Sequence, residues 1–335
     1  MLKEINKKEF LKKNELKEEK IACIYCRGKN LIKRGRQKTK YGEKQVYFCK
    51  SCNKRFILSL LKGKSFNAKI ILNALSYYNI GNTLEQSSKL INRKFKIKIS
   101  KSAIHKWLGE FKEIYPYHRL RNNISKEYGR DIIASKLFKH KGLTYNYKYH
   151  KAKIDLFSRN YKSLIYYLKS LEQNFPHNIF ESDSRCSQIK VNIEILRKDK
   201  NNYACKLANF SLSSVSSNTE RHELVESFML MNDTATIAVE VPVWFWEKNI
   251  NAYEGGIGIC GHIDILQLKF GKIYILDFKP EADKENEQKV SSQLYLYARG
   301  LSFRARIPLE RFRCAWFDAD NYFEFEPSKV RIKWL

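Results

Sequence analysis

Apolar residues recur at helical spacing in three short stripes between residues 65 and 115. Asn79-Ile-Gly81 ends the first stripe, and Thr83 and Ser100 are suited to cap the helices that follow. In the third helix, Trp107 belongs to the apolar face and is expected to be a core residue. The polar face of that helix carries Lys101, Ser102, His105 and Lys106. Three short helices with a basic last member are typical of a helix-turn-helix, so this segment is predicted to be an all-α DNA-binding domain.

A mixture of strand-like and helical runs occupies residues 151–335. The predicted helices cover 154–168, 218–231 and 289–301, and the predicted strands cover 188–196, 203–210, 236–245, 258–270 and 272–278. Such a mixture predicts an α/β domain of ordinary size with a mixed central sheet. The preceding segment, 116–150, is basic and rich in tyrosine and has little periodicity, so we interpret it as a basic linker.

Four of the eight cysteines form two Cys-x-x-Cys pairs near the N-terminus. Cys23 and Cys26 form the first pair, and Cys49 and Cys52 form the second. Each pair can supply two thiolates from one tight turn, and together they complete a closed tetrahedral site for a structural Zn²⁺ ion. Because the segment between the pairs suits a β-hairpin, residues 18–60 are predicted to be a small β zinc ribbon.

Basic residues are concentrated in the first part of the chain. The formal net charge is +28, and residues 1–150 hold 37 of the 63 Lys and Arg residues but 11 of the 35 Asp and Glu residues. A field of this sign attracts a polyanion, and double-stranded DNA is the expected partner. AT-rich coding would also raise the lysine content, but it would act on both halves of the chain. Within the ribbon, Arg34 and Arg36 are candidate contacts to phosphate.

The sequence contains no sign of a membrane partner. No apolar stretch approaches the ~20 residues that a membrane span needs. The first residues lack the apolar core of a signal peptide. We therefore expect a cytoplasmic, nucleoid-associated protein.

The N-terminal pattern resembles the DNA-binding module of insertion-sequence transposases. The shared features are the two cysteine pairs around a basic hairpin, the ending Lys54-Arg55-Phe56, and the helix trio that ends at Ile104-His-Lys-Trp-Leu108. Asn53 is a departure, because a glycine often follows the second cysteine pair in that family. The resemblance covers residues 20–115 and implies sequence-directed binding to duplex DNA.

Two carboxylates and a lysine lie close together in sequence near the end of the α/β domain. Asp264 lies in the predicted strand 258–270, and Asp277 and Lys279 end the next strand. A hairpin turn would place Asp264 beside Asp277, and residues two apart on a strand face the same way. The carboxylates suit Mg²⁺ or Mn²⁺, and the lysine can orient or polarise a water molecule beside a phosphate. Upstream, Glu240 offers a third carboxylate on another predicted strand.

This constellation resembles the PD-(D/E)XK nuclease superfamily, specifically its RecB-type branch. The shared pattern is a Gly-x-x-Asp strand at 261–264, an apolar strand ending Asp-x-Lys at 277–279, and a helix with Gln-x-x-x-Tyr at 293–297. The resemblance implies a restriction-endonuclease-like fold with Asp264 and Asp277 as metal ligands and Lys279 as the water-activating residue. It also implies that Gln293 and Tyr297 organise the site. Upstream, His222 and Glu240 match the histidine and the acidic residue found in many members.

The leading hypothesis is a Mg²⁺-dependent DNA endonuclease that the ribbon and the helix-turn-helix target to duplex DNA, in association with a mobile element or with defence against one. A homodimer is expected if the enzyme cuts both strands in concert. One alternative is a DNA-binding regulator with an inert nuclease fold. Another is a transposase with a ribonuclease-H-like domain, for which Asp155, Asp183 and a late glutamate are the available carboxylates. A structural role for Glu240 and a capping or packing role for His222 also stay open.

Overall fold

The structure, a computed structural model, describes residues 23, 25–26, 28–39, 42–56, 64, 66–117, 120–121, 128–157, 159–189, 191–213, 221–246 and 258–332. The chain divides into two compact units, Met1–Asn67 and Ala68–Leu335. A small antiparallel sheet, several helices and a larger mixed sheet are present, so the chain is a multidomain α/β protein. Among the helices in the described ranges, none is long and apolar enough to cross a membrane.

The first unit contains a three-stranded antiparallel sheet. Its strands are β1 (Leu31–Thr39), β2 (Gly42–Cys49) and β3 (Lys54–Phe56). The hairpin predicted between the cysteine pairs is therefore confirmed. Its small core contains the buried Phe56, whose ring stacks on Tyr47 with 5.8 Å between centroids. So small a core stabilises little by itself, and units of this size usually need a metal or disulfides.

Residues 68–110 form the three predicted helices. These are α1 (Ala68–Asn79), α2 (Leu84–Phe95) and α3 (Lys101–Glu110). α2 begins with a capping box in which the Thr83 hydroxyl accepts a hydrogen bond from the Gln86 amide, and the Gln86 side chain accepts one from the Thr83 amide. Ser100 caps α3 by accepting a hydrogen bond from the Ala103 amide. Trp107 is 4% exposed, which confirms that it is a core residue.

Composition indicates a linker over 116–150, but the structure places two strands there. β4 (Ile133–His140) and β5 (Leu143–His150) form an antiparallel hairpin at one edge of the larger sheet. The strand period is hidden in the sequence because several buried positions are tyrosines rather than aliphatic residues. Tyr147 is fully buried, and its hydroxyl donates a hydrogen bond to the Leu168 carbonyl oxygen at 2.8 Å.

The larger sheet is mixed, as predicted. Its remaining strands are β6 (Ser184–Arg185), β8 (Lys198–Asp199), β9 (Thr236–Trp246), β10 (Gly258–Lys269), β11 (Lys272–Phe278), β12 (Phe312–Phe317) and β13 (Tyr322–Phe325). Two short strands, β7 (Ile193–Glu194) and β14 (Arg331–Ile332), form a separate antiparallel pair. The strand order is β4-β5-β9-β10-β11-β12-β13-β8, and β6 pairs with the start of β10. Neighbouring strands are antiparallel except for β11 with β12 and β6 with β10. β9, β10 and β11 confirm the predicted strands 236–245, 258–270 and 272–278.

Most predicted helices of this unit are also present. The helices after the trio are α4 (Lys151–Phe157), α5 (Lys162–Ser170), α6 (His177–Ser182), α7 (Tyr203–Leu212), α8 (Arg221–Asn232) and α9 (Glu287–Ala305). The strand predicted at 203–210 is wrong, because these residues form α7. Asn202 caps α7 by accepting a hydrogen bond from the Ala204 amide, and Ala204, Leu207 and Ala208 are buried at helical spacing. Of the predicted strand 188–196, the described residues form the two-residue β7.

Buried polar contacts connect the helix trio to α8. The Asn79 side-chain amide donates a hydrogen bond to Asn232 Oδ1 at 2.8 Å, and the Asn232 amide donates one to Ser76 Oγ at 3.0 Å. The rings of Phe111 and Phe210 pack nearby with 5.0 Å between centroids. The trio and the sheet therefore belong to one compact unit, in which α8 contacts both.

Candidate functional site

Three carboxylate residues lie in one row across neighbouring strands. On one side of β10, the register pairs the neighbours of Asp264 with the neighbours of Glu240, which places these two residues opposite each other. On the other side, Ile265 pairs with Leu276, so Asp264 is also opposite Asp277. Directly opposed residues of antiparallel strands project from the same face of a sheet. The predicted proximity of Asp264 and Asp277 is therefore present in the fold.

Asp264 is the central member of this row and has several partners. One of its oxygens accepts a hydrogen bond from the Phe278 amide at 3.3 Å and lies 3.7 Å from His222 Nδ1. Burial acts to raise the pKa of Asp264, but His222, Asp277 and the Lys279 ammonium together hold it below its usual value. Asp264 is therefore the carboxylate of the row that most readily stays ionised.

Asp277 is 1% exposed, and within the described residues no backbone amide or uncharged side chain donates a hydrogen bond to its carboxylate. Lys279 Nζ lies 2.9 Å from one of these oxygens. Burial, and then the charge of Asp264, raise the pKa of Asp277 well above its usual value. Although burial acts against it, the charges of Asp277 and Asp264 raise the pKa of Lys279. Burying this carboxylate beside Asp264 with one ammonium as its partner is costly, and a hard cation that takes oxygen ligands fits the site.

Glu240 occupies a strained position in the middle of β9. Its φ is +50°, a left-handed value that residues other than glycine rarely adopt, least of all within a strand. Burial, and then the charge of Asp264, raise the pKa of Glu240 to about 8, while Lys148 opposes this effect. The geometry therefore places Glu240 with the predicted site and gives it an environment that favours the protonated form.

Glu226 also lies at this site, although it was not among the predicted site residues. It follows His222 by four residues on α8, so the two side chains share one face of the helix. One ligand atom from each of His222, Glu226 and Asp264 lies within 4.8 Å of the other two, a group that could hold a metal ion. Glu226 is 3% exposed, and burial followed by the charge of Glu240 raises its pKa well above the usual value. Its spacing from His222 was the signal in the sequence.

Gln293 and Tyr297 lie together on α9, as their spacing predicts. The Gln293 amide donates a hydrogen bond to the Tyr297 hydroxyl at 2.9 Å. Tyr297 is 5% exposed and its ring packs directly on β10, where a Cβ atom at Gly261 would lie 2.5 Å from a ring carbon. The glycine three residues before Asp264 is therefore required by this close approach. Burial raises the pKa of Tyr297 well above its usual value, and the charges of Asp264 and Asp277 contribute.

The two carboxylates of the ribonuclease-H-like alternative lie elsewhere. Asp155, on α4, accepts hydrogen bonds from the Tyr128 hydroxyl at 2.7 Å and from Lys169 Nζ at 2.8 Å. Asp183 follows α6, and a Cβ atom at Gly258 would collide with its carboxylate. Neither residue is part of the carboxylate row.

The four N-terminal cysteines form a separate cluster that could hold a structural zinc ion. Their sulfur atoms all lie within 4.8 Å of one another, with Cys23 and Cys52 at 3.6 Å and Cys26 and Cys49 at 3.5 Å. Sulfur atoms around a tetrahedral zinc ion with Zn–S bonds of about 2.3 Å lie about 3.8 Å apart. Burial acts to raise the pKa of Cys49, but backbone and thiol hydrogen bonds lower it to about 6, whereas burial and the neighbouring thiols raise the pKa of Cys52 to about 12. Without a metal ion, the clustered thiols therefore cannot all ionise together, and a zinc ion would stabilise the four thiolates.

Asn53, which follows the second cysteine pair, stands where the transposase pattern often has a glycine, and its backbone conformation explains why asparagine is accepted. Asn53 has a φ of +54°, so the turn requires a left-handed residue at this position. Glycine is the usual choice, and asparagine is among the few other residues that tolerate this conformation. Asn53 therefore preserves the geometry of the turn without a glycine.

The predicted DNA-contacting residues are all exposed. They are Arg34 and Arg36 on β1, and Lys101, Ser102, His105 and Lys106 on α3. The Arg34 guanidinium lies 5.4 Å from the centroid of the Phe48 ring. On α3 the exposed polar face lies opposite the buried Ile104 and Trp107, as the helical period predicts.

We expect the purified chain to contain one tightly bound zinc ion, measured by plasma mass spectrometry. Cys49→Ser should lose the zinc, because a closed four-thiolate site has no replacement ligand. Cys205→Ser, at a buried single cysteine of α7, is the control and should keep it. Full zinc content in Cys49→Ser would contradict the assignment.

The raised pKa of Glu240 predicts how stability depends on pH. Between pH 4.5 and about 8 the folded chain binds a proton at Glu240 that the unfolded chain has released. This residue therefore makes the free energy of unfolding fall as pH rises through that range, in the absence of divalent cations other than zinc. Glu240→Gln should be more stable than wild type at pH 8 by roughly 1–3 kcal/mol, and the difference should shrink toward pH 4.5.

Urea denaturation at a series of pH values measures this difference. Glu310→Gln is the matched control, since Glu310 is an exposed residue before β12 and should leave the pH dependence unchanged. If Glu240→Gln and wild type showed the same pH dependence, the environment assigned to Glu240 would be wrong.

Comparison with known proteins identifies no relative: no protein-family model, no curated protein and no solved structure matches the chain. The resemblances to the transposase module and to PD-(D/E)XK nucleases therefore rest on the motif residues themselves. Of these, the four-cysteine cluster is the part whose geometry supports a zinc ribbon.

Proposed function

We propose that the chain is a metal-dependent DNA nuclease that hydrolyses phosphodiester bonds. The observation that carries this proposal is the pairing of the buried Asp277 with Lys279 at 2.9 Å, beside Asp264 and with no described backbone amide donating to the Asp277 carboxylate. A group of buried acids beside one lysine destabilises a fold unless a ligand compensates the charge. A divalent cation would supply that compensation, and its remaining positive charge would attract the phosphate of the substrate.

The chain's own residues fit such a cation. Asp264 and Asp277 would hold Mg²⁺ or Mn²⁺, with Glu240 as a further oxygen donor. His222 and Glu226 adjoin Asp264, and an imidazole nitrogen is a ligand that suits Mn²⁺ better than Mg²⁺. When bound, the cation would stabilise the negative charge that develops on the phosphate.

Lys279 has a role that follows from its charge. Because the neighbouring carboxylates raise its pKa, Lys279 stays protonated at neutral pH and donates hydrogen bonds instead of removing a proton. Its side chain is 19% exposed, so the ammonium can reach a ligand. We assign it to orienting the attacking water and the scissile phosphate. Gln293 and Tyr297 support the strand that carries Asp264.

The basic N-terminal part supplies the proposed targeting to duplex DNA. The exposed Lys101, Ser102, His105 and Lys106 lie on the last helix of a trio, the element that enters the major groove in helix-turn-helix proteins. Arg34 and Arg36 on the ribbon would contact phosphates. We place the protein in the cytoplasm on the nucleoid, with a role in element mobility or in defence, and we expect a homodimer where both strands are cut.

Cleavage of duplex DNA in the presence of Mg²⁺ or Mn²⁺ tests the proposal. Asp277→Asn should abolish cleavage, because the variant loses a charged cation ligand. Lys279→Ala should reduce cleavage by about 10²–10³-fold, as is typical when a positioned hydrogen-bond donor to the reacting group is lost. Asp283→Asn, at an exposed carboxylate just after β11, is the control and should cleave normally. Equal behaviour of wild type, Asp277→Asn and Lys279→Ala would refute the nuclease.

The DNA-binding part has its own test, which also separates the enzyme from a regulator with an inert nuclease fold. In the full chain, changing both Lys101 and Lys106 to alanine should weaken duplex binding and reduce the salt dependence of binding by about one phosphate per lysine. Lys162→Ala, at an exposed lysine of α5, should bind like wild type. Unchanged binding in the double variant would exclude α3 as the contact. Tight, specific binding without any metal-dependent cleavage would favour the regulator.

A further inference from the structure

The hairpin of β4 and β5 forms one edge of the larger sheet. β4 is the last strand at this edge, so one side of it pairs with β5 and the other side pairs with no described strand. Phe138 packs in the core, whereas Ser135, Lys136, Leu137 and Lys139 are exposed. The free side of β4 therefore presents unpaired backbone groups and two lysines to a partner.

The positive charge of this hairpin is not balanced by acidic residues within it. The segment 132–150 contains Lys136, Lys139, Lys141 and Lys148 and no aspartate or glutamate. Residues 151–335, by contrast, hold 26 Lys and Arg residues against 24 Asp and Glu residues. The hairpin thus carries concentrated positive charge beside a part of the chain that is close to neutral.

Acidic residues from elsewhere contact the hairpin at its two ends. At the turn, the Lys141 amide donates a hydrogen bond to the Glu181 carboxylate at 3.2 Å. At the other end, the Lys148 ammonium lies 3.5 Å from Glu223. Between these ends, the ammonium groups of the two β4 lysines form no ion pair and no hydrogen bond with a described residue. Their charge is therefore available to a partner.

The same two lysines argue against a second copy of the chain as that partner. Pairing of two β4 strands edge to edge would bring four ammonium groups close together, and lysines on an edge strand are a common means of preventing such pairing. Leu137, which is 60% exposed, lies between them and is too small an apolar surface to outweigh this repulsion. A polyanion fits the edge better, because its charge compensates the lysines.

The strand register aligns the hairpin with the carboxylate row. Lys136 is opposite Tyr147, and Lys148 is opposite Val239, which places Tyr147 beside Glu240. From β4 to β10, at the centre of the row, there are three strand spacings of about 4.8 Å, or roughly 14 Å. The major groove of B-DNA is about 12 Å wide. A duplex with one backbone at the carboxylate row would therefore bring its other backbone to β4.

Lys148 connects the hairpin to the helix that carries part of the site. Its ammonium lies 3.2 Å from Ser227 Oγ on α8, the helix of His222 and Glu226. The charge of Lys148 also opposes the rise in the pKa of Glu226 and of Glu240. The hairpin and the carboxylate row are therefore neighbours in space as well as in register.

From this charge and this register we infer that the outer edge of β4 binds the phosphate backbone of duplex DNA. The inference rests on the proposed function and adds a third DNA contact to the ribbon and α3. Lys136 and Lys139 would pair with phosphates, and free backbone amides along the edge can donate hydrogen bonds to phosphate oxygens. Because the carboxylate row repels a phosphate, a positive edge beside it would hold the duplex there. Phosphate contacts do not read bases, so this contribution is the same for every DNA sequence.

Binding of the full chain to fluorescein-labelled duplex DNA, measured by anisotropy in zinc-containing buffer without Mg²⁺, tests the inference. Changing both Lys136 and Lys139 to glutamine should weaken binding at least about tenfold at about 0.1 M salt and lower the salt dependence by about two phosphates. The loss should be equal for unrelated duplex sequences. Changing both lysines to arginine keeps the charge and should leave binding unchanged.

The matched control changes both Lys162 and Lys289, exposed lysines of α5 and α9, to glutamine. It removes the same net charge from the chain and should bind like wild type. Hydrogen exchange supplies a measurement on the unaltered chain. Amides on the free edge of β4 should exchange more slowly when duplex is added, whereas those of α5 should not change.

Several results would overturn the inference. They are equal affinities of the two glutamine pairs, unchanged exchange in β4, tighter binding of an RNA duplex of the same sequence, and a changed oligomeric state of the β4 pair in chromatography, which would make the edge an interface between copies. Absence of duplex binding by wild type would overturn the proposed targeting as well. Because turnover is not needed, normal binding without cleavage would contradict the nuclease alone.

Discussion

Repulsion between acidic side chains is the constraint on which the centre of the larger sheet depends. The antiparallel register of β9, β10 and β11 places Glu240, Asp264 and Asp277 opposite one another, and α8 adds Glu226 from above the strands. These groups cannot all be ionised in a buried environment. Their negative charge is reduced by protonation and balanced by the Lys279 ammonium and, under the proposed function, by a bound cation. The raised pKa values of Glu226, Glu240 and Asp277 express this shortage of positive charge.

The surrounding structure holds these groups together against that repulsion. Strong apolar packing between the sheet, α5 and α9 fixes the strands, and the Tyr297 ring presses on Gly261 from the opposite side of β10. On the acidic side, Lys148 lies between α8 and β9, with its ammonium 3.2 Å from Ser227 Oγ and 3.5 Å from Glu223. The left-handed backbone at Glu240 is sustained by regular pairing on both sides of it. The fold thus stores local strain where the chemistry is proposed to occur.

Much of this arrangement could be predicted from the sequence because the signals were local. Cysteine spacing, helix caps at Thr83 and Ser100, and the apolar runs of β9 to β11 can each be recognised within a few residues. The strands at 133–150 were missed because tyrosine provides several of the buried positions there. The helix α7 was taken for a strand because the apolar residues on both sides of Lys206 outweighed the helical spacing of Lys206 and Asn209. The spacing of Glu226 from His222 was a signal in the sequence, but the packing of α8 against the sheet is what brings both side chains to Asp264. The left-handed backbone at Glu240 has no signal in the sequence.

The position of α8 has a consequence for the geometry of cleavage. One end of this helix carries His222 and Glu226, and the other end is bound through Asn232 to Asn79 and Ser76 of the helix trio. Over its length of 12 residues a helix rises about 18 Å and does not bend easily. Under the proposed function, the helix trio that binds DNA and the carboxylate row that cleaves it would keep a fixed distance from each other. The cleavage position would therefore lie a constant number of base pairs from the sequence that the helix trio binds. A flexible linker between the two would instead allow a range of positions.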